Sequence, residues 1–360
     1  MKILFCCGNQ NDPLAKSLAK KHTVTICTPE RSSKNIPEIL KGIPKPDFIF
    51  VLEQQPLFIP QDLNRITIPK TVYLVDLHLH FDTWHKHFAK LFDIVFCAQK
   101  KYVERFKKEG ARNVFWLPLY SDPEVDKNLG LKRIYDFGFV GTLNPIHNFK
   151  RSLMLWLLKR KFKVKVGQNV SGKKRGKIYN QSKLAINISI ANDLNFRTFE
   201  SMASGSMLIT DLQDGLTTFF KDKKHLIVYK NFSSAVKLGS FYLRNNKQRQ
   251  KIAQSGQKEV LLKHTSDQRA EEIIKILRLG IKAKTKHNNK NDYYIVGRTY
   301  FFLYKRNEAI TYLKKFLSIK RGISIQRIEA LIFLLIAKYI PPKLFRIFII
   351  FFRITYKILD

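Results

Sequence analysis

Short, unbroken runs of Val, Ile, Leu and Phe recur along the first two thirds of this chain, and stretches with helical periodicity separate them. This alternation is the strongest constraint on the fold. The first series comprises Lys2–Cys7, Thr23–Cys27, Asp47–Leu52, Thr71–Val75, Asp93–Cys97 and Asn113–Leu117. Most of these runs are continuously apolar rather than alternating, as strands are when both faces of a parallel sheet are covered. Helices are expected between them at Asp12–Lys21 and at Lys100–Glu109, where Gly110 stops the second. Repeated strand–helix–strand order implies a doubly wound α/β sheet.

Pro118 and Ser121-Asp122-Pro123 interrupt the pattern, and polar residues continue to Arg133. A second series then follows: Asp136–Val140, Lys163–Gly167, Leu184–Ile188, Met207–Thr210 and Leu226–Tyr229. Helices are expected at Phe149–Arg160, Asn195–Ser204, Ser233–Arg244 and Lys247–Lys263. With 360 residues, 45% of them hydrophobic, the chain can fill two such cores and a smaller appendage. The expected organisation is two Rossmann-like domains, 1–120 and 121–280, followed by a helical extension, 281–360. Ligands of such sheets lie beyond the carboxyl ends of the strands, so two facing halves would place the chemistry between them.

The extension opens with a basic linker, Lys282, Lys284, Lys286 and Lys290. Two helical segments follow, Asp292–Lys305 and Asn307–Lys320. Their spacing of Tyr294, Gly297, Tyr300, Phe301, Ala309, Leu313, Phe316 and Leu317 resembles one tetratricopeptide-like hairpin. A single hairpin of that kind cannot bury its own core, so it is expected to pack on the second Rossmann domain or on a partner. Beyond Ala330–Ala337 and Pro341-Pro342, residues 343–359 form an apolar helix. Arg346, Arg353 and Lys357 align on it, with Lys343 close by. A basic stripe on an apolar helix suits either a segment lying in a membrane interface or a terminal helix packed on the body. Neither apolar stretch reaches the length of about 20 residues that a membrane span needs.

The charge is extreme, with 65 Lys and Arg against 28 Asp and Glu, a net +37. It favours polyanionic partners, although a Lys- and Asn-rich composition can arise without one. No basic helix with stacking aromatics and no nucleic-acid motif accompanies the charge, so no specific nucleic-acid partner is expected. Cys6, Cys7, Cys27 and Cys97 show no metal-ligand spacing and read as reduced, buried thiols. The apolar stretch Ile3–Cys7 is too short for a signal peptide, which points to a cytoplasmic chain.

The most informative segment runs from Asn187 to Gly205: a buried strand, a polar turn, a helix and a glycine stop. Asp193 or Asn195 can cap the helix. Arg197 then lies in its first turn, and a helix N-terminus beside an arginine is suited to a diphosphate. Glu200 follows near that end, where a carboxylate can accept from vicinal hydroxyls. The plainer alternative makes Arg197 and Glu200 a helical ion pair contributing about 0.2–0.5 kcal/mol. Upstream, Tyr135–Val140 reads as a strand ending in Gly141, which would let backbone approach a phosphate, and Arg151 on the next helix can reach the same anion. Downstream stand Leu208-Ile209-Thr210-Asp211, Gly215-Leu216, His225–Tyr229 and His264-Thr265.

On these residues, with Phe139–Gly141, Asp193-Leu194-Asn195, Phe199-Glu200, Met202-Ala203 and Gly205, the chain resembles the group-1 glycosyltransferases, in particular their CgeB-like, spore-maturation-protein-like branch. The resemblance covers approximately residues 70 to 275. It implies a GT-B fold whose C-terminal domain holds a nucleotide diphosphate sugar, with no separate cofactor and no metal ion. It also implies that Glu200 sits at the ribose or sugar, Arg197 near the diphosphate, and Gly141, Arg151, Asn195 and Gly205 around them. Many group-1 enzymes carry a further glutamate where this chain has Asn192, which leaves the stereochemical outcome open.

On the acceptor side, Val75–Asp82 follows a strand, and the family often shows an acid and a histidine there. Asp76 and His78 are therefore the candidates, His78 as general base and Asp76 as its orienter. Alternatives are a structural pair at the sheet edge, or a metal cluster with His80, Asp82, His85 and His87. The expected activity is hexosyl transfer from a sugar nucleotide to a glycan, lipid-linked or protein acceptor, with the enzyme peripheral on the anionic inner face of the cell membrane. The alternative is a non-catalytic binding module of the same fold acting through its tail.

Overall fold

A computed structural model describes residues 1–28, 36–53, 62–63, 66–143, 148–280, 290–319 and 322–358. The linker lysines 282, 284 and 286, with Asn144, Lys320 and Leu359, lie outside the described residues, as do the side chains of Lys290 and Lys357. The chain divides into two units, Leu117–Ile276 and the remainder, Met1–Trp116 with Leu277–Asp360.

The first unit is built on six strands: β1 (Lys2–Cys6), β2 (Thr23–Cys27), β3 (Phe48–Glu53), β4 (Lys70–Leu74), β5 (Ile94–Cys97) and β6 (Val114–Trp116). They lie in the order β2-β1-β3-β4-β5-β6, and every pairing is parallel. β3 and β4 are buried along their whole length, which accounts for the continuous apolar runs Phe48–Leu52 and Val72–Leu74 within them. The second unit carries β7 (Tyr135–Val140), β8 (Val164–Gly167), β9 (Ser182–Asn187), β10 (Met207–Thr210) and β11 (Ile227–Val228). Their order is β11-β10-β9-β7-β8, again all parallel. In each sheet the first strand sits between the second and the third. That reversal opens a crevice at the carboxyl ends of the strands.

The C-terminal helices correct one expectation. The pair Lys290–Phe302 and Arg306–Ile319 packs in the first unit, not on the second domain. Its Tyr300, Phe301, Leu313 and Phe316 share one core with Leu74, Phe81, Trp84 and Phe88. A Cβ on Gly297 would lie 2.9 Å from Leu313 Cδ2, so glycine permits the close helix approach. Buried Arg298 donates from Nε to the Thr83 carbonyl (2.8 Å) and pairs with Glu329. The helix Ile325–Tyr339 stacks Phe333 on Phe301, with ring centroids 4.3 Å apart. The last helix, Pro342–Ile358, buries Phe345 and Ile349. Its expected basic stripe is incomplete: Arg353 turns inward and donates to the Phe302 carbonyl (2.8 Å), while Lys343 and Arg346 remain exposed. Among the described residues, no helix is long and apolar enough to cross a membrane.

Candidate functional site

In the second unit, buried polar side chains gather where β7, β9 and β10 end. Asn187, the last residue of β9, is fully buried. Its Oδ1 accepts from Arg197 Nη1 and from Asn195 Nδ2 (3.3 Å), and its Nδ2 donates to Thr198 Oγ1 (3.2 Å). Thr198 donates to Gln213 Oε1 (3.0 Å), and Gln213 donates to Thr210 Oγ1 (2.9 Å). Tyr229 donates its hydroxyl proton to the Asn187 carbonyl (3.0 Å). These links tie the ends of β9 and β10 to the start of the helix Phe196–Ala203, to the loop after β10 and to Tyr229 beyond β11, so the network fixes where that helix begins.

Arg197 is the centre of the cluster. Nε donates to the Val140 carbonyl at the end of β7 (2.6 Å), Nη1 to Asn187 on β9, and the guanidinium stacks 4.4 Å from the Phe139 ring centre. It therefore bridges the two strands that flank the crevice. Nη2 makes no hydrogen bond among the described residues and lies against Gly141, where an added Cβ would sit 2.3 Å from it. Glycine is required there by proximity. Of the N–H groups at the start of the helix, that of Thr198 donates to the Asn195 carbonyl (3.1 Å), and the N-cap side chain takes none of them. Asn195 is the N-cap by position, but its side chain makes no capping bond, contrary to expectation. That side chain is turned to Asn187 and to the Asp193 carbonyl, and its Oδ1 is buried without a hydrogen bond among the described residues.

Glu200 does not pair with Arg197. Its Oε1 contacts Arg175 Nη1 at 3.0 Å, and Arg175 in turn grips Asp126, with Nη2 at 2.8 and 2.9 Å from the two carboxylate oxygens and Nε at 3.1 Å. Asp126 is fully buried, and burial together with the Glu200 charge lifts its carboxyl to about 7, against the pull of Arg175. Burial also raises Glu200. The Tyr179 hydroxyl belongs to the same cluster, buried and without a hydrogen bond among the described residues. Sequence reasoning missed Arg175, Asp126 and Tyr179. The helix Gly172–Asn180 has almost no apolar periodicity, and Asp126 lies in a polar loop. The one retrospective signal is Gly176, whose Cβ would lie 2.8 Å from the Val125 carbonyl, a helix seated directly on that loop.

Two further candidates have other duties. Arg151 donates Nε and Nη2 to the Ile188 carbonyl (3.0 and 2.8 Å) and Nη1 to the Thr142 carbonyl (3.1 Å). It braces the segments after β7 and β9, and burial followed by the Arg197 charge lowers it to about 10. Gly205 is in the left-handed region (φ +78°) just past the far end of the helix, whose eight residues span about 12 Å at 1.5 Å per residue. Its carbonyl accepts from Arg133 Nη2 (2.7 Å).

In the first unit the strand does not continue past Val75, so His78 and His80 do not share a strand face. They lie on a short helix, Leu77–His80, that Asp76 enters with φ +50°. Asp76 is exposed and His78 half-buried. The chain then continues into a π-helical turn, Phe81–His85. Beneath it lies a pair that sequence reasoning missed. Glu53, the last residue of β3, accepts from the Val75 N–H (3.0 Å), and its Oε2 is 3.3 Å from Nε2 of fully buried His85. Burial, and then Asp76, drive Glu53 well above the usual carboxyl range. Burial, and then His80 and His78, drive His85 well below the usual imidazole range. Among the described residues, no group of three His, Cys, Asp or Glu side chains is placed to hold a metal ion.

The family described as "Glycosyl transferase-like" matches residues 128–275, the span that contains Arg197, Glu200 and Arg175. No curated protein resembles the chain in sequence at a significant level. Among solved structures, the chain is similar to the Anabaena protein HepE in complex with UDP and glucose, with a TM-score of 0.53 at 11% identity over 78% of this chain and 100% of that one. It is similar to a glycosyltransferase from Rickettsia africae, with a TM-score of 0.53 at 12% identity over 77% and 98%. A third likeness is to sucrose-phosphate synthase from Thermosynechococcus elongatus, with a TM-score of 0.51 at 10% identity over 78% and 98%. Two parallel-sheet domains with a helical C-terminal region give this chain the fold of the GT-B glycosyltransferases, and its residues 128–275 carry a glycosyl transferase-like segment.

Proposed function

We propose that the chain is a nucleotide-sugar-dependent glycosyltransferase that uses the mouth of the helix Phe196–Ala203 as its donor site. One observation carries this reading: Arg197 is locked across the ends of β7 and β9, with one nitrogen left beside Gly141 at an uncapped helix start. Fixed N–H donors of this kind suit the donor's diphosphate and oppose the charge that develops on it as the glycosidic bond breaks. The neighbours solved with UDP and with UDP-glucose support a nucleoside diphosphate sugar as the ligand class. Glu200, with Oε1 held by Arg175, offers its second oxygen to a ribose or sugar hydroxyl. The helix dipole and Arg197 supply the positive charge, so no divalent ion is required in this proposal.

In the transfer step an acceptor oxygen forms a bond to the anomeric carbon while that carbon's bond to the phosphate oxygen breaks. The electron pair leaves with the nucleoside diphosphate. His78, oriented by Asp76, takes the acceptor proton. We read the transferred group as a hexose, the acceptor as a glycan, lipid-linked or protein hydroxyl, and the enzyme as a CgeB-like member working on the cytoplasmic membrane face. Exposed Leu344, Ile347 and Phe351, with Lys343 and Arg346 on the last helix, support attachment there. A thermal-shift series across nucleoside diphosphate sugars tests the donor site. A donor at a hundredfold its Kd should stabilise by about 2.7 kcal/mol. No stabilisation by any of them, or equal stabilisation of Arg197→Ala, sinks the proposal.

A further inference from the structure

Between Asp136 and Asp193 the sequence contains no acidic residue and twelve Lys and Arg. The helix Phe149–Lys159 lies within this stretch. Its inner face, Arg151, Met154, Leu155 and Leu158, is buried in the second unit. Its outer face is not polar. Phe149 is 65% exposed, Leu153 41% and Trp156 53%. At 100° per residue these three fall within an arc of about 60°, one above another along the helix. Arg160 continues the same line one turn on, with its guanidinium 4.5 Å from the Trp156 ring centre. Exposed Lys150 and Lys159 flank the stripe about 100° to one side and about 80° to the other, and Lys161 follows.

We infer that this face, independently of the C-terminal helices, rests on an anionic lipid surface. An aromatic and aliphatic ridge bordered on both sides by cations matches a bilayer interface, where Trp and Phe enter the headgroup layer and lysines meet lipid phosphates. A second copy of this chain, at net +37, would be repelled. A nucleic acid would answer the cations but leave Phe149 and Leu153 without an apolar layer. Membrane contact through this helix would hold the glycosyl transferase-like unit itself at the lipid surface.

The chain has its own reporter. Of its three tryptophans, Trp84 is fully buried, Trp116 donates its indole N–H to the Ala98 carbonyl (3.1 Å), and Trp156 is the exposed one. Full-length protein is mixed with vesicles of phosphatidylcholine and phosphatidylglycerol whose acyl chains carry bromine. Emission should be quenched, and Trp156→Phe should remove the quenched component. Phe149→Ser with Leu153→Ser should abolish quenching at an unchanged melting temperature. Neutralising Lys150, Lys159, Arg160 and Lys161 to Gln should weaken vesicle affinity at least about a hundredfold. Vesicle-bound protein whose Trp156 emission is unquenched overturns the inference, as does no binding to the anionic vesicles or an equal response to pure phosphatidylcholine. A Trp156 response to RNA without one to vesicles overturns it too. Donor binding, followed separately by calorimetry in these variants, stands or falls independently.

Discussion

The two sheets share a plan and differ in the sign of what they bury. Each is all-parallel, each places its first strand between the second and third, and each collects polar side chains at its carboxyl end. In the second unit these are arginines. Arg151 and Arg197 are tied to backbone carbonyls and an amide, and Arg175 to two carboxylates. In the first unit they are an acid and an imidazole, Glu53 and His85, each pushed by burial toward its neutral form. A guanidinium whose charge does not vary, satisfied by neutral partners, is built to hold an anion. A carboxyl against an imidazole, both shifted toward neutrality, is built to hold or pass a proton. The fixed cations thus belong to the second sheet, where burial also raises the carboxyls of Asp126 and Glu200, while the first sheet sets an acid against an imidazole.

The largest test removes the cationic end. Arg197→Ala should lower donor turnover by about 10²–10³-fold, the usual effect of losing one preorganised donor. A variant that keeps full turnover removes the contrast between the sheets. Gly141→Ala is gentler, because its Cβ meets Arg197 Nη2 at 2.3 Å and displaces it without deleting its charge. Donor affinity measured by calorimetry should fall about tenfold to a hundredfold, with the circular-dichroism spectrum unchanged.

On the proton-holding side, Glu53→Ala orphans the Val75 N–H and should cost about 1–3 kcal/mol in denaturant unfolding. Glu53→Gln should cost less at neutral pH, because the amide imitates a protonated acid. Equal losses would mean that Glu53 works as a carboxylate.

Asp126 sharpens the comparison through pH. Its folded carboxyl, at about 7, lies above the ordinary 3.8, so the folded state holds the proton more tightly. That contribution is complete below about pH 3.8 and is lost as pH rises through 7. Asp126→Asn should flatten the decline in melting temperature between these values, and an unchanged slope would assign it to other groups. The smallest effect belongs to Gly205→Ala. The left-handed φ should cost about 1 kcal/mol, with donor affinity unaffected because the residue lies away from the helix mouth.

What the chain itself determined is its two-sheet plan. β10 coincides with the apolar run Met207–Thr210, because a strand buried along its whole length needs a local, continuous apolar run that is visible without any partner. The same holds for Gly141 before a helix bearing Arg197 and Glu200, a juxtaposition written in residue types. Tertiary structure alone decided which groups meet. Arg197 and Glu200, three residues apart, are drawn to different partners, Glu200 to an arginine on a helix with hardly any apolar signal. Asp126 meets that arginine from 49 residues away. Asn195 abandons the cap its position offers for Asn187, and Arg353 leaves its stripe for the Phe302 carbonyl. Apolar periodicity records burial, which each element carries in its own sequence. The choice of hydrogen-bond partner depends on which strand ends and loops the packed sheet brings within about 3 Å.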